Sequence, residues 1–168
     1  MNAAVALSSP ERFYDQSRQA FEDIVRSLSS EEARSMTHSE LERDLEKKGR
    51  ELMRKLLQEH LQTRGPGQCA QPVRDADGVE RTRVRLQERK LESIFGTVAT
   101  ERAGYGKEGR RSLHPLDAEL NLPDERYSLE LRRRVAEEAA KSSFDETLES
   151  IGKTTGAHVP KRQIEELV

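Results

Sequence analysis

Apolar residues recur every three or four positions near the start of the chain, which predicts an amphipathic helix. Ser9 suits the N-cap position, Pro10 suits the first turn, and the pattern ends at Ser29-Ser30. The apolar positions are Phe13, Ala20, Phe21, Ile24, Val25 and Leu28.

A second helix is predicted to begin near Thr37, because Thr37 and Glu40 have the spacing of a capping box. The Gly-Pro-Gly sequence at Gly65–Gly67 ends it. Its apolar stripe consists of Leu41, Leu45, Leu52, Met53, Leu56, Leu57 and Leu61. Gly49 and Glu59 interrupt a strict heptad, so two packed antiparallel helices are expected rather than a long coiled coil.

The chain changes character after the second helix. Residues 62–80 are rich in Gly, Pro, Gln and Asp, which predicts a loop with a tight turn at Asp77-Gly78. The next apolar residues alternate with arginines, the period of a strand with one solvated face. The alternating residues are Thr82, Val84 and Leu86 on one side and Arg81, Arg83 and Arg85 on the other.

Beyond this strand, Leu91–Phe95 and Val98–Ala103 flank Gly96 and predict a β-hairpin. Residues 104–123 contain three glycines and two prolines and are expected to be irregular. The last predicted elements are a helix over 129–141 capped by Ser128, a helix over 144–151 capped by Ser143, a turn over 152–158, and a final helix opening at Val159-Pro160.

The expected fold is therefore mainly α with a small β-hairpin insert, an α+β arrangement. We divide it into an N-terminal helical hairpin (1–64), a loop and basic antiparallel β-hairpin region (65–126), and a C-terminal segment resembling a helix-turn-helix (127–168).

Composition narrows the class of protein. Hydrophobic residues make up 33% of the 168 positions, with seven aromatic residues and no tryptophan, so a large self-sufficient core is not expected. No apolar run is long enough for a membrane span, and the N-terminus lacks the features of a signal peptide. Cys69 stands alone, which excludes an internal disulfide and a paired-cysteine metal site. A cytoplasmic protein is expected.

Motifs for catalysis are absent from the sequence, which has neither a phosphate-binding loop nor a zinc-protease or serine-hydrolase signature. His114, Asp117 and Glu119 lie close together, but their spacing matches no familiar ligand pattern, and a structural loop is preferred. The carboxylates at positions 40–46 have basic neighbours one helical turn away, which predicts a solvated ion-pair face. We expect no enzyme activity, no metal, no cofactor and no small-molecule substrate.

Charge is unevenly distributed along the chain. Charged residues make up 36% of the sequence, yet the net charge is −2. Between Arg81 and Arg111, nine basic and four acidic residues give +5, which leaves −7 for the remainder. Such a segment is a candidate for contacts with nucleic-acid phosphates, and the alternatives are a solvated strand face or a surface that docks on the acidic helices. The candidate residues here are Arg81, Arg83, Arg85, Arg102, Arg110 and Arg111.

The C-terminal segment is a second candidate for DNA binding. Two short helices joined by a glycine-containing turn have the pattern of a helix-turn-helix, whose second helix can enter the major groove. The pattern is also common in helical bundles that bind no DNA. Its candidate contact residues are Lys153, His158, Lys161, Arg162 and Gln163.

Four stretches resemble the N-terminal region of bacterial insertion-sequence transposases of the Kra-type family. They are GRELMRKLLQEHL (49–61), FGTVATERAGYG (95–106), LHPLDAELNLPDERYS (113–128) and SSFDETLESIGKTTGAHVPKRQIEEL (142–167). The third stretch is the most specific, because a Pro-Leu-Asp, a Leu-Pro and a Tyr-Ser recur there at the same offsets. The resemblance covers most of the chain from about residue 30.

Members of this family continue into a DDE catalytic domain of RNase H-like fold, in which three carboxylates hold two metal ions, Mg in this family. This chain ends at Val168 without such a domain, so no catalytic residue is carried over. The resemblance implies a DNA-binding, accessory segment that holds the terminal inverted repeats of the element, from a truncated or split gene. It would be cytoplasmic and nucleoid-associated when bound to DNA. The alternative is a helical protein–protein interaction module, such as a homodimer, that never touches DNA.

Overall fold

The computed structural model describes residues 13–167. The chain divides after Thr63 into two compact units, the N-terminal unit (described over 13–63) and the C-terminal unit (described over 64–167). The mainly helical fold with a small antiparallel sheet is confirmed. The proposed cap at Ser9 and Pro10 lies outside the described residues. Among the described helices, none has the length and apolar character needed to cross a bilayer.

The N-terminal unit consists of α1 (Asp15–Leu28), α2 (Glu31–Ser35) and α3 (His38–Thr63). The capping box at the start of α3 is confirmed, because the backbone N–H and hydroxyl of Thr37 donate to Glu40 at 2.8 and 2.7 Å. The sequence pattern missed α2, a short helix capped by the hydroxyl of Ser30. Hydrogen bonds join Ser17 at the start of α1 to Glu59 near the end of α3, and Ser27 at the end of α1 to Lys48 in the first half of α3, so these two helices are antiparallel as expected.

The start of α1 is capped by a side chain from α3. Glu59 is 4% exposed, and its carboxylate accepts the backbone N–H groups of Gln16 and Ser17 at 3.0 Å each. The hydroxyl of Ser17 also donates to it. Glu59, one of the two residues that interrupt the heptad of α3, therefore satisfies donors that the first turn of α1 leaves without intrahelical partners. A carboxylate there also lies favourably in the field of the helix dipole.

The C-terminal unit contains a three-stranded antiparallel sheet in the order β1-β2-β3. Its strands are β1 (Arg83–Ser93), β2 (Gly96–Lys107) and β3 (Arg110–Leu113). The hairpin predicted around Gly96 is confirmed, with Ser93 paired to Gly96. The irregular segment predicted over 104–123 is wrong, because it contains the end of β2, all of β3 and the helix α4 (Pro115–Glu119). Gly104 and Gly106 lie inside β2 and accommodate close neighbours, whereas Gly109 lies in the turn between β2 and β3.

The first half of β1 is exposed on both of its faces, which corrects the prediction of one solvated face. Val84 and Leu86 are 51% and 50% exposed, and Arg83 and Arg85 on the opposite face are exposed too. β1 is an edge strand, and the apolar core lies beyond its other end. Alternation alone therefore identified the strand but not a buried face.

Three helices complete the unit: α5 (Leu129–Ala139), α6 (Phe144–Thr154) and α7 (Lys161–Leu167). The predicted caps are confirmed, since the hydroxyl of Ser128 accepts the N–H of Leu131 and Ser143 forms a capping box with Glu146. α6 continues three residues beyond the predicted end at Ile151. The core that holds these helices together consists of Tyr127, Leu131, Val135, Ile151, Ala157, Val159 and Ile164.

The helices are joined to the turn of the hairpin by backbone hydrogen bonds. The N–H of Gly156 donates to the carbonyl of Ile94 at 2.8 Å, and the N–H of Ser128 donates to the carbonyl of Glu92 at 2.9 Å. A Cβ at Gly156 would lie 2.2 Å from the carbonyl oxygen of Phe95, so only glycine permits this approach. The boundary that we placed at residue 126 thus falls inside one compact unit.

Candidate nucleic-acid interface

Buried apolar residues fix the orientation of α7 and of the turn that precedes it. Ile151 before the turn, Val159 within it and Ile164 on α7 are each at most 2% exposed. The candidate DNA-contact residues of this segment therefore lie on the side that faces solvent. Lys153, His158, Lys161 and Arg162 are exposed, and Gln163 is half-buried.

Carboxylates accompany the basic residues of this segment. Lys161 lies 2.6 Å from Asp145, and this hydrogen bond raises the pKa of Lys161. Arg162 lies 3.2 Å from Glu166, which also accepts a hydrogen bond from Gln163 at 2.6 Å. Lys153 is paired with Glu149. All of these pairs are exposed, so water and salt weaken them and a phosphate oxygen can replace the carboxylate.

Arg83 and Arg85 lie on the same face of β1, two residues apart. Arg83 is 3.6 Å from Glu108, and both side chains are largely exposed. Within residues 13–167, Arg85 forms no ion pair. The two arginines are therefore the predicted strand residues that are accessible and weakly held.

Arg81 and Arg110 are instead bound to the turn at Asp75–Val79. Arg81 is 6% exposed and donates to Asp75 at 2.8 Å, while Arg110 lies 2.6 Å from Asp77. The N–H of Val79 and then the two arginines hold the pKa of Asp75 below its usual value. Arg81 in particular belongs to a buried ion pair and is not accessible to a nucleic acid.

Arg102 and Arg111 are also paired with carboxylates. Asp117 on α4 lies 2.7 Å from Arg89 and is paired with Arg102 through the same oxygen. Arg111 lies 3.0 Å from Asp124, and both of these side chains are exposed. Sequence reasoning missed the role of Arg89, which is 9% exposed and also donates to the carbonyl of Glu125 at 2.9 Å. No local signal connects residues this far apart in the chain.

The loop candidates His114, Asp117 and Glu119 are engaged with different parts of the unit. Burial, followed by the charge of Arg102, lowers the pKa of His114. Asp117 is held by the two arginines described above, and Glu119 is paired with Arg64. Over residues 13–167, no three or more His, Cys, Asp or Glu side chains are grouped so that they could hold a metal ion.

A polar groove of about 180 Å³ lies on the sheet face that carries the exposed arginines. It is lined by Arg83, Arg85, Gln87, Gly104, Gly106, Lys107 and Ser112. Arg83 and Arg85 were predicted as contact residues from the sequence, and the other five were not. The sequence feature that marks the groove is a Gly-x-Gly in β2 that pairs with an Arg-x-Arg in β1. It can be recognised only once the register of the hairpin is known.

In the N-terminal unit, the predicted ion-pair face of α3 is confirmed. Asp44 lies 2.6 Å from Lys48, and Glu46 lies 2.6 Å from Arg50. Glu40 forms the capping box instead of an ion pair. These carboxylates therefore stabilise the helix and are not grouped for acid–base chemistry.

Comparisons with known proteins found no matching family model, no similar curated protein and no similar solved structure.

Proposed function

We propose that this chain is a non-catalytic, DNA-binding accessory segment of a DNA transposase, which holds the terminal inverted repeats of the element. The resemblance of residues 113–128 and 142–167 to insertion-sequence transposases suggests this role. The observation that carries it is the exposure of Lys161 and Arg162 on the first turn of α7, on a helix whose opposite side is buried through Ile164.

The packing of α7 supports a recognition role. Its direction is set by the docking of Gly156 against the hairpin, so the exposed side is presented without first having to be ordered. The acidic partners Asp145 and Glu166 lower the net charge of this surface. Binding therefore replaces existing exposed pairs with phosphate contacts, and we expect strong dependence on salt.

The test is a double substitution, Lys161→Ala with Arg162→Ala, in the full chain. Binding to labelled inverted-repeat duplex and to random duplex is measured by gel shift at two salt concentrations. A matched control is Arg26→Ala with Arg34→Ala, which removes the same charge from two exposed, locally paired arginines of the N-terminal unit.

The double substitution on α7 is expected to weaken inverted-repeat binding and to lower the salt slope by about one for each phosphate contact that is lost. The control should bind like the unaltered chain. Equal binding by the two double variants would contradict the recognition role of α7. A chain that binds no duplex at all would contradict the proposed function.

A second function is favoured by one observation in the N-terminal unit. Phe21, Val25 and Leu28 follow one another along α1 and are 57%, 47% and 40% exposed. This apolar row suits the contact of two helical hairpins in a homodimer, which would bury it in a bundle. Substituting Phe21→Glu should convert such a dimer to a monomer in a sizing column without changing binding to DNA. A chain that elutes as a monomer before substitution would exclude this function.

A further inference from the structure

The floor of the groove includes two glycines, and the ring of His114 lies over one of them. Gly104 and Gly106 of β2 pair with Arg85 and Arg83 of β1, so on this face bare backbone lies beside each arginine. A Cβ at Gly104 would lie 2.8 Å from Cε1 of His114, and a Cβ at Gly106 would lie 3.4 Å from Oγ of Ser112. A side chain at Gly106 would project towards Ser112 in the wall of the groove, whereas a side chain at Gly104 would displace the ring of His114.

The walls of the groove carry donors and positive charge. Arg83, Arg85 and Gln87 project from β1 on one side, while Lys107 and Ser112 lie on the other. Within the part of the chain that the structure describes, neither Arg85 nor Lys107 forms an ion pair. The pair of Arg83 with Glu108 spans 3.6 Å between two exposed side chains and is easily exchanged. The groove is thus suited to an anion that needs several donors.

The spacing of the donors identifies the shape of that anion. Alternate residues of a strand are about 6.8 Å apart, so Arg83, Arg85 and Gln87 form a straight row of three equally spaced donors. This interval is close to the separation of successive phosphates in an extended nucleic-acid strand. In a duplex, each phosphate is rotated about the axis by a tenth of a turn or so from the one before it, so the path of the phosphates bows away from a straight row.

The volume of the groove points the same way. At about 180 Å³ it accommodates a phosphodiester group. No aromatic side chain lines it, so bases are not expected to be read or stacked there. Tyr105 of the same strand is directed to the opposite face, where its hydroxyl accepts the N–H of Cys69 at 2.7 Å.

We propose that this glycine-floored groove binds the phosphodiester backbone of a single nucleic-acid strand, without sequence preference, along β1. The inference rests on the proposed function for its class of ligand, nucleic acid. It adds a second contact at a distance from α7. Arg85 is eight residues along β1 from Ser93, and the hairpin turn that follows Ser93 is where the helices dock, so about 27 Å of strand separates the groove from the docking site.

The test compares two variants of the full chain that remove one charge from opposite faces of the same strand. Arg85→Gln alters the groove, whereas Lys90→Gln alters an exposed residue on the other face. A third variant, Gly106→Val, fills the groove without changing the charge. Binding of a labelled oligothymidylate is followed by fluorescence anisotropy at several salt concentrations, with inverted-repeat duplex and inorganic tripolyphosphate as competitors.

Arg85→Gln is expected to weaken oligothymidylate binding about fivefold to tenfold and to lower the salt slope by about 0.7, while Lys90→Gln stays within twofold of the unaltered chain. Gly106→Val should weaken binding to a similar degree. Equal effects of the two charge variants would overturn the groove as the site. An equal loss for duplex and single strand would overturn single-strand binding and leave the role of α7 intact. Displacement by tripolyphosphate at the same phosphate concentration would overturn nucleic acid as the ligand.

Discussion

The two units of the chain bury their apolar side chains to very different extents. Over residues 13–63, Leu61 is the only hydrophobic residue that is buried, at 8% exposure. The C-terminal unit instead has a contiguous core in which Leu131, Val135 and Ile164 are fully enclosed. The N-terminal unit relies on capping and ion pairs such as Asp44 with Lys48. A helical hairpin of this kind therefore gains less free energy of folding from burial than the C-terminal unit does.

The largest expected effect comes from deleting a core side chain in the C-terminal unit. Leu131→Ala should lower the free energy of unfolding by about 2–5 kcal/mol, because the lost methyl groups leave a cavity in an enclosed core. Phe21→Ala removes a larger side chain from the N-terminal unit but should cost less than about 1 kcal/mol in the monomer. Urea denaturation followed by circular dichroism measures both, and similar losses would contradict the contrast between the units.

The next effect compares a glycine in each unit. Gly156→Ala should destabilise the chain by about 1–3 kcal/mol, because its Cβ meets the carbonyl oxygen of Phe95. Gly49→Ala should stabilise it by up to about 1 kcal/mol, because Gly49 lies inside α3 and a methyl group there would meet no neighbour within 4 Å. Thermal unfolding of the two variants should therefore shift in opposite directions. A higher unfolding temperature for both would show that the α6–α7 turn tolerates a Cβ against Phe95, and a lower one for both would contradict the expectation for Gly49.

A smaller effect is expected at the buried carboxylate of the N-terminal unit. Glu59→Gln replaces one of the two oxygens that accept from Gln16 and Ser17 with an amide group. The substitution should cost about 1–2 kcal/mol, since buried donors at the start of α1 lose an acceptor. Hydrogen exchange of the first turn of α1 should accelerate, while exchange in α5 stays unchanged. Unchanged protection of α1 would show that Glu59 is not its cap.

The smallest effect concerns an exposed ion pair of the C-terminal unit. Hydrogen bonding from Arg133, with help from Arg134, lowers the pKa of Glu130 to about 2. A depressed pKa means that the pair stabilises the folded chain above the usual carboxyl value of 4.5, and that this contribution is lost as the pH falls from there towards 2. An NMR titration should place the midpoint of Glu130 near 2, and Arg133→Ala should move it back towards 4.5. A midpoint that does not respond to this substitution would exclude Arg133 as the cause.

Local patterns in the sequence predicted most of the elements. Thr37, Ser128 and Ser143 begin helices as expected, because a cap requires only neighbours within one turn. The hairpin at Gly96 was predicted for the same reason. The prediction of an irregular segment after Ala103 was wrong, because its glycines and prolines resemble loop residues when their partners in space are unknown.

The candidate site was harder to predict from the sequence than the fold. Of the six arginines selected from the basic segment, Arg83 and Arg85 line the groove, whereas Arg81 is buried against Asp75 and Arg102 is paired with Asp117. A charge count treats these residues alike. Their difference arises from carboxylates that approach from other elements.

Neighbouring residues along the chain are enough to specify where most helices and strands begin, which face of a helix is apolar, and where positive charge is concentrated. These properties depend on residues within a few positions of one another. Three contacts become visible only in the folded chain: Glu59 caps α1, Gly156 meets Phe95, and two glycines of β2 pair with two arginines of β1. Each of those contacts joins distant parts of the chain, so it depends on register and packing that no local pattern specifies.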